Sequence, residues 1–433
     1  MDTVLPQLYK DYGEYSNYRN FPLDLDGLKP VERRVLLSAF TIARNKLVKS
    51  RQVDAYTMGH FHPHGECYGT IVQMVRQGFL DGQGNYGSNV GVEPVGAAAP
   101  RYTECKINQD TIKLAFEYIK YAPKIDTEMG DKEPFHLPTK FPFCLLGNDY
   151  TQGIGFGYRT YIPCYKVEDL TKRLLWLLGI RKYQPIIAPI SDCTVTSTKA
   201  ELEGLLVTGQ AKISVEGLII EDPLRNKVTL KSWPPGKRFE SFLRKFQGEM
   251  DAGLIGFTDS SGTETEIVFQ VLRERNRDKI FQDFVEKLKG MLKGVVPFEI
   301  RVVDSDQKVL LKSVDMLLLD TYHMFTDINK SMLKDEIERV KEEISWLNAL
   351  EIIRPPLSHC LKSEYDIETS IEYIEKNASH RVDKKIIEEM LSKYRIRKLL
   401  TLNTDTNKLT TQKAELESRL KELKAFVLNQ YGV

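Results

Sequence analysis

Ala97-Ala-Ala-Pro-Arg-Tyr-Thr-Glu104 sets an arginine directly before a tyrosine in a run of small residues. A phenol has an ordinary pKa of about 10 and is a poor nucleophile until something activates it. The Arg101 guanidinium can stabilise the phenolate of Tyr102 or neutralise a phosphoryl oxygen. A histidine within reach can take the proton or donate to the phosphate. Such a set suits attack on a phosphodiester. Taken alone the pair decides nothing, because most tyrosines are packing residues with a wet tip. What decides is the company it keeps. Asp26-Gly-Leu-Lys-Pro-Val-Glu-Arg-Arg34, His62-Pro-His-Gly-Glu66 and Asp81-Gly-Gln-Gly-Asn-Tyr-Gly-Ser88 precede it in the chain. Residues 1–170, which hold all four stretches, are dense in Gly, His, Pro and aromatics. Short helical patterns, Val31 to Ala43 and Tyr68 to Arg76, alternate there with loops, and loops on a rigid scaffold are where binding and catalytic groups concentrate.

Other chemistries fit less well. Gly82-Gln-Gly84-Asn-Tyr-Gly87 is a literal GxGxxG, but the SNVGVEPVG that follows cannot open the helix a dinucleotide site needs. His60, His62 and His64 alternate as metal ligands would. Pro63 and Gly65 argue for a turn instead, and no nearby cysteine completes a zinc set. No GxxxxGK[ST] is present, so there is no P-loop ATPase signature. The six cysteines are scattered with no CxxC pair. That excludes a zinc ribbon and a disulfide scaffold and favours a reducing, cytoplasmic setting. No apolar run reaches the roughly 18 residues of a membrane span, and the N-terminus lacks a signal-peptide core.

The chain has 433 residues, 42% hydrophobic and 28% charged, an ordinary globular balance and a prior of roughly three domains. Its net charge of +1 excludes a simple basic nucleic-acid binder. The charge is nevertheless uneven. From Arg19 to Arg51 there are eight bases against three acids, so compensating acid must lie elsewhere, in runs such as Lys334-Asp-Glu-Ile-Glu338 of the C-terminal third. A polyanion at one end of the molecule suits that distribution.

Residues 171–300 show an α+β pattern. Ile213 to Ile220 and Lys227 to Lys231 are strand-like runs around the turn signal Glu221-Asp-Pro-Leu-Arg-Asn226. Phe239 to Met250 and Lys279 to Leu292 are helical, and Thr263 to Leu272 is a further strand. From Ser313 onward the chain is helical. Leu333, Ile337, Val340, Ile344 and Leu347 form one heptad seam, and Leu416, Leu420, Leu423 and Val427 another. Between them lies a compact stretch, roughly 351–405, with Pro355-Pro356 as a break. The economical arrangement is a long helix out, a small knob, and a helix back, paired as an antiparallel coiled coil; two independent amphipathic helices in a bundle are the alternative.

In this order and near spacing, the four motifs closely resemble the breakage-reunion domain of type IIA DNA topoisomerases, the gyrase A and topoisomerase IV C-type subunits. Glu133-Pro-Phe-His-Leu-Pro-Thr-Lys-Phe-Pro142 and Gly153-Ile-Gly-Phe-Gly157 with Ile162-Pro163 continue the match. The resemblance implies an α+β multidomain protein: a winged-helix cleavage domain over 1–170, an α/β tower domain over 171–312, and coiled-coil arms with a helical C-terminal gate over 313–433. Tyr102 then resembles the nucleophile of a 5′-phosphotyrosyl link and Arg101 its partner arginine. His64 resembles the histidine at the scissile phosphate and Arg33 an active-site arginine. Arg19, Lys29, Arg34 and His62 resemble DNA contacts, and Ile154 the isoleucine that wedges between bases and bends the duplex.

The family resemblance also implies double-stranded DNA as substrate, a homodimer closed through the gate, and a partner subunit that binds ATP and holds Mg2+, since this chain offers no carboxylate cluster for a metal. Some features depart from the bacterial pattern. The helix after HPHGE is about two residues shorter and starts Cys67-Tyr68; Asn20 and Leu23 replace familiar residues; Pro100 precedes Arg101; and the sequence stops at Val433, where the bacterial pattern goes on to a DNA-wrapping propeller. The compact layout resembles the separate cleavage subunit of phage enzymes. A non-catalytic architectural DNA binder on the same scaffold is the rival, and the intact Arg101, Tyr102, His64 and Arg33 set speaks against it.

Overall fold

The structure, a computed structural model, describes residues 4–262, 264–272 and 275–432. The chain divides into two compact units, residues 1–325 and 326–433.

The first unit opens with helices α1 (Val4–Asn20) and α2 (Pro30–Ile42), strand β1 (Val48–Lys49), helices α3 (Ser50–His60) and α4 (Tyr68–Arg76), and strands β2 (Leu80–Gln83) and β3 (Glu104–Ile107). Helix α2 starts where the sequence demands it. Pro30 supplies a fixed φ at the first helical position, and Glu32 folds back so that its carboxylate accepts the Lys29 N–H at 2.9 Å. Its Val35, Leu36 and Ala39 are fully buried, and the helix packs on α3, α4 and β3. The three strands form a small sheet in the order β1-β3-β2. The central strand, β3, begins two residues after Tyr102. Helix α5 (Gln109–Ala115) and the hairpins β4 (Lys124–Asp126)–β5 (Lys132–Pro134) and β6 (Thr151–Ile154)–β7 (Arg159–Ile162) follow, then α6 (Val167–Leu177).

The α/β stretch adds β8 (Thr194–Val195), α7 (Lys199–Thr208), β9 (Gln210–Glu216), β10 (Ile219–Asp222), β11 (Lys227–Leu230), α8 (Phe239–Asp251), β12 (Ile255–Asp259), β13 (Ile267–Val271), α9 (Arg277–Leu292), β14 (Lys293–Glu299), β15 (Arg301–Val303) and β16 (Val309–Leu311). One sheet runs β10-β11-β13-β12 and carries α8 and α9 over a core of Phe242, Phe246, Phe269 and Phe284. A second runs β6-β7-β14-β9-β8. It draws strands from both sides of the 170/171 boundary expected from sequence, so the two stretches share a sheet.

The run Ile213 to Ile220 is not one strand. It breaks at Gly217 and passes from one sheet to the other. A Cβ on Gly217 would lie 2.5 Å from the Ser232 carbonyl, so the crossing is a close backbone approach that favours glycine. The expected strand over 263–272 is shorter, Ile267–Val271, and Thr263 lies outside the described residues.

Helix α10 (Val314–Lys362) enters the second unit. Pro355-Pro356 does not break it. A helix-interior proline removes a hydrogen bond and normally kinks or ends the helix. Here Leu350, Ile353, Leu357 and Cys360 on both sides of the pair are fully buried, and that packing holds the line until Glu364 turns at a φ of +52°. Helices α11 (Ile367–Asn377), α12 (Lys384–Lys393) and α13 (Ile396–Thr401) close around those residues as the knob. The return consists of α14 (Asn407–Lys421) and α15 (Leu423–Asn429), interrupted at Glu422 where one continuous seam was expected. Gln430 Nε2 donates to Asn329 Oδ1 at 2.8 Å, so the unit leaves and returns to the same place. Leu333, Ile337, Val340, Leu416 and Val427 of the two seams are buried. Among the described residues, no helix is long and apolar enough to cross a membrane.

Candidate active site

Tyr102 sits on a turn closed by its own N–H to the Ala99 carbonyl at 2.9 Å. The side chain is 64% exposed, and its hydroxyl has no hydrogen-bond partner among the described residues. The Arg101 guanidinium lies over its ring, 4.7 Å from the centroid, the cation–π distance at which charge and phenol are held as a pair. The backbone beneath is tied down. At the N-terminus of α3, where N–H groups have no helical acceptor, Ser50 donates to the Thr103 carbonyl at 3.0 Å and Arg51 to the Pro100 carbonyl at 3.2 Å.

Under the turn runs a hydroxyl network. Thr103 Oγ1 donates to Ser50 Oγ at 2.8 Å, and Ser50 Oγ lies 2.8 Å from the Tyr86 hydroxyl. The Tyr68 hydroxyl donates to the Ala98 carbonyl at 2.6 Å and lies 3.0 Å from Thr103 Oγ1. The Tyr86 hydroxyl donates to the Glu104 carbonyl at 2.8 Å. Burial pushes the Tyr86 phenol up to about 12. Nearby tyrosines are therefore scaffold, while Tyr102 alone of this group offers its oxygen to solvent.

The HPHGE turn divides its histidines. His60 Nδ1 pairs with Asp131 at 2.9 Å. His62, almost fully buried, holds its Nδ1 3.1 Å from Arg34 Nη1. Burial first, then the charges of Arg34, His64 and Arg19, push its pKa down to about 4, so it is a neutral acceptor at neutral pH. His64 Nε2 meets the Tyr15 hydroxyl of α1 at 3.0 Å, with Glu128 at 4.0 Å. Arg19, exposed one turn further along α1, lies 5.5 Å from the Tyr15 ring centroid. The alternating histidines thus take three separate partners rather than converging as ligands. Among the described residues no three His, Cys, Asp or Glu side chains gather as a metal set.

The adjacent arginines of α2 part company, as residues about 100° apart on a helix must. Arg34 makes a two-pronged pair with Glu133, at 2.8 and 2.7 Å. Arg33 turns inward. Its Nε and Nη2 bind both oxygens of the fully buried Asp26 at 2.7 and 2.9 Å. Asp26 also accepts the N–H groups of Leu28, at 3.1 Å, and Leu137, at 2.9 Å. Although burial opposes its charge, the Asp26 carboxylate holds the Arg33 pKa above its ordinary value. The residue expected from sequence to line the site presents no guanidinium to the surface; it orients the Asp26 carboxylate, which in turn ties the Asp26–Arg34 segment to Leu137 in the loop after β5.

Ile154 is 82% exposed at the tip of the β6–β7 hairpin, which rules out a core role. The flanking glycines explain the posture. A Cβ on Gly153 would strike the Asn20 carbonyl, and one on Gly155 the Asn17 side-chain oxygen. The hairpin therefore lies flat against α1, and Asn17 fastens it by accepting the Phe156 N–H at 2.7 Å. Lys29 Nζ donates to the Gln152 carbonyl at 2.6 Å, which draws the start of α2 to the same hairpin.

Helix α1 thus joins His64, through Tyr15, to Ile154, through Asn17. Arg51 joins the other pair of loops, since its side chain binds Glu66 at 2.6 Å and Asp54 at 2.9 Å while its N–H holds Pro100. No direct bond links Tyr102 to His64, Arg19 or Arg33. Sequence reasoning missed Tyr15, Ser50, Arg51, Tyr68, Tyr86 and Glu133. Tyr15 carried a faint signal, four residues before Arg19 and so on the same helix face; Arg51 figured only as one base of the positive segment, and Ser50 carried no signal.

A family model for the A subunits of DNA gyrase and topoisomerase IV matches residues 19–431. The DNA gyrase A subunit of Mycolicibacterium smegmatis is 29% identical over 295 residues, 60% of this chain and 34% of the relative. The DNA topoisomerase 4 A subunit of Haemophilus influenzae is 34% identical over 232 residues, 48% of this chain and 30% of the relative. The DNA gyrase A subunit of the same organism is 27% identical over 366 residues, 78% and 40% respectively. The chain therefore spans well under half the length of these curated relatives.

Proposed function

Because the chain belongs to the family of DNA gyrase and topoisomerase IV A subunits, we propose that it is the DNA-cleaving and rejoining subunit of a type II DNA topoisomerase. It makes a transient double-strand break through 5′-phosphotyrosyl links, so that a second duplex can pass. The observation that carries this reading is the partnerless, exposed Tyr102 hydroxyl beside Arg101, on a backbone pinned by the N-terminus of α3.

The phenolic oxygen of Tyr102 attacks phosphorus, and the bond from phosphorus to the 3′-oxygen breaks as the new one forms. The phenolic proton passes to a base and the 3′-oxygen takes one up. One diester replaces another, so the bond energy is retained and reversal reseals the strand. Arg101 offsets charge on the phenolate and the phosphoryl oxygens. His64, oriented by Tyr15, contacts the scissile phosphate. Arg19 and Lys29 supply backbone phosphate contacts, and Ile154 wedges into the bent duplex. Arg34 and His62, bound to each other, shape that surface, and Arg33 holds it from behind.

In this reading α2–α4 and the sheet β1-β3-β2 act as the winged helix and residues 171–312 as the tower. The knob serves as the gate, on antiparallel coiled-coil arms made by α10 and α14–α15. Each chain cuts one strand, so a C2 homodimer follows, working on the DNA of the cytoplasm, whether nucleoid or infected-cell. The described residues gather no donor set for a metal, and in this reading Mg2+ and ATP belong to a partner subunit. Detergent trapping of labelled duplex, with Mg2+ and that partner, tests the reading. Wild-type chain should give covalent adducts and Tyr102→Phe none; adducts at the normal level in the variant would assign the nucleophile elsewhere.

A further inference from the structure

Between β2 and β3 the chain makes a long excursion, residues 84–103, that ends on Tyr102. Ser88 and Val95 exchange backbone hydrogen bonds of 2.9 and 2.8 Å and close its stem, and the Ala98 N–H donates to the Asn85 carbonyl at 2.9 Å. The tip reaches away from the small sheet to β12. There the Val92 N–H donates to Asp259 Oδ2 at 2.8 Å. The Val92 side chain, half-buried, packs against the apolar cluster between α8, α9 and the β10-β11-β13-β12 sheet. Gly91 makes the approach feasible. Its φ is +93°, and a Cβ there would lie 2.9 Å from Asp259 Oδ2 and 3.3 Å from Ser261 Cβ. Asp259 is itself fixed, because its other oxygen accepts the Ser261 N–H at 3.0 Å.

A long surface loop loses much conformational freedom when it is placed, and misplacing a reacting group by about 1 Å can cost about a hundredfold in rate. The α3 N-terminus holds only the last turn of this loop. The Tyr68 hydroxyl and Arg76 Nε hold the Ala98 and Tyr86 carbonyls, and the Gly91–Val92 tip is held by a residue far along the chain, in the 171–300 stretch. We propose that Asp259 is a positioning residue for the nucleophile, locking the Gly91–Val92 tip of the Tyr102 loop onto strand β12. The cleavage centre is then set from two sides, by α3 and by the β10-β11-β13-β12 sheet. The proposal rests on the reading of Tyr102 given above.

The test uses the full chain in two arms, one of them independent of activity. Amide hydrogen exchange of residues 88–97 should rise about tenfold in Asp259→Ala and stay near wild type in Asp259→Asn, which keeps an oxygen acceptor. Adduct formation on labelled duplex, with Mg2+ and the partner subunit, should fall about tenfold in Asp259→Ala, while duplex affinity stays within about twofold. Unchanged exchange overturns the clamp. Faster exchange with undiminished adducts overturns its role in positioning. Adducts that persist in Tyr102→Phe would instead overturn the nucleophile, and the positioning proposal with it, even where the exchange result holds.

Discussion

The turn at Tyr102 and the segment Asp26–Arg34 are equally rich in charged and polar motif residues, and they use them in opposite directions. At the turn, the buried partners are hydroxyls and backbone groups, and the charged and phenolic ends face outward. In Asp26–Arg34, Asp26 and Arg33 spend their hydrogen-bonding capacity on each other inside the protein. A motif therefore mixes groups left facing outward with groups that hold the first kind in place, and residue type alone does not sort them. Burial and partner do.

The sharpest way to break this contrast is to exchange the expected consequences. Tyr102→Phe should reduce covalent adducts below detection and leave the melting temperature unchanged, because the lost hydroxyl makes no bond within the chain. Arg33→Met should do the reverse. It strands a buried Asp26 carboxylate, and removing one member of a buried pair costs about 3–5 kcal/mol, so a large drop in melting temperature should appear in calorimetry. A stable Arg33→Met chain that binds DNA normally but fails to cleave would put Arg33 back among the reacting groups.

Much of the fold was legible because it is written locally. Helix α2 announces itself through Pro30 and its apolar spacing, and the outgoing arm through its heptads, whereas the return is interrupted at Glu422. What was illegible depends on distant partners. Nothing near His64 points to Tyr15, and nothing near Val92 points to Asp259. Adjacent Arg33 and Arg34 look alike in sequence, and only the location of Asp26 and Glu133 in space separates them. Pro355-Pro356 shows the opposite failure, where a firm local rule yields to the fully buried neighbours on either side. Within the candidate site, the outward groups Arg101, Tyr102 and Ile154 were named from sequence; the polar scaffold beneath the turn was not, since serines and tyrosines make weak patterns.

Ile154 sharpens the comparison from a third position, outward-facing like Tyr102 but apolar. Ile154→Ala should change stability by no more than about 0.5 kcal/mol, as surface truncations do, and leave the salt dependence of duplex binding near normal, because the phosphate contacts are untouched. Bending and cleavage should both weaken, because alanine is too short to fill an unstacked base step. A bend-sensitive fluorescence assay run beside the adduct assay checks this. Unaltered bending per bound molecule would remove the wedge role.

The smallest effect concerns His62, which belongs to the inward-facing kind although it sits two residues from His64. Its pKa is pushed from 6.5 down to about 4, by burial first and then by Arg34, His64 and Arg19. In the unfolded chain it takes up a proton as pH falls below about 6.5, whereas in the folded chain it resists until near 4. The unfolded state thus binds more protons across that window, and stability must fall as the solution is acidified through it. Above pH 6.5 the histidine is neutral in both states and contributes no slope. His62→Gln keeps an oxygen to accept from Arg34 and removes the titration, so its melting temperature should decline less between pH 6.5 and 4 than that of the wild type. The two should run parallel above pH 7. Parallel curves throughout the acid window would mean that His62 is protonated in the folded chain, so that its Nδ1 no longer accepts from Arg34.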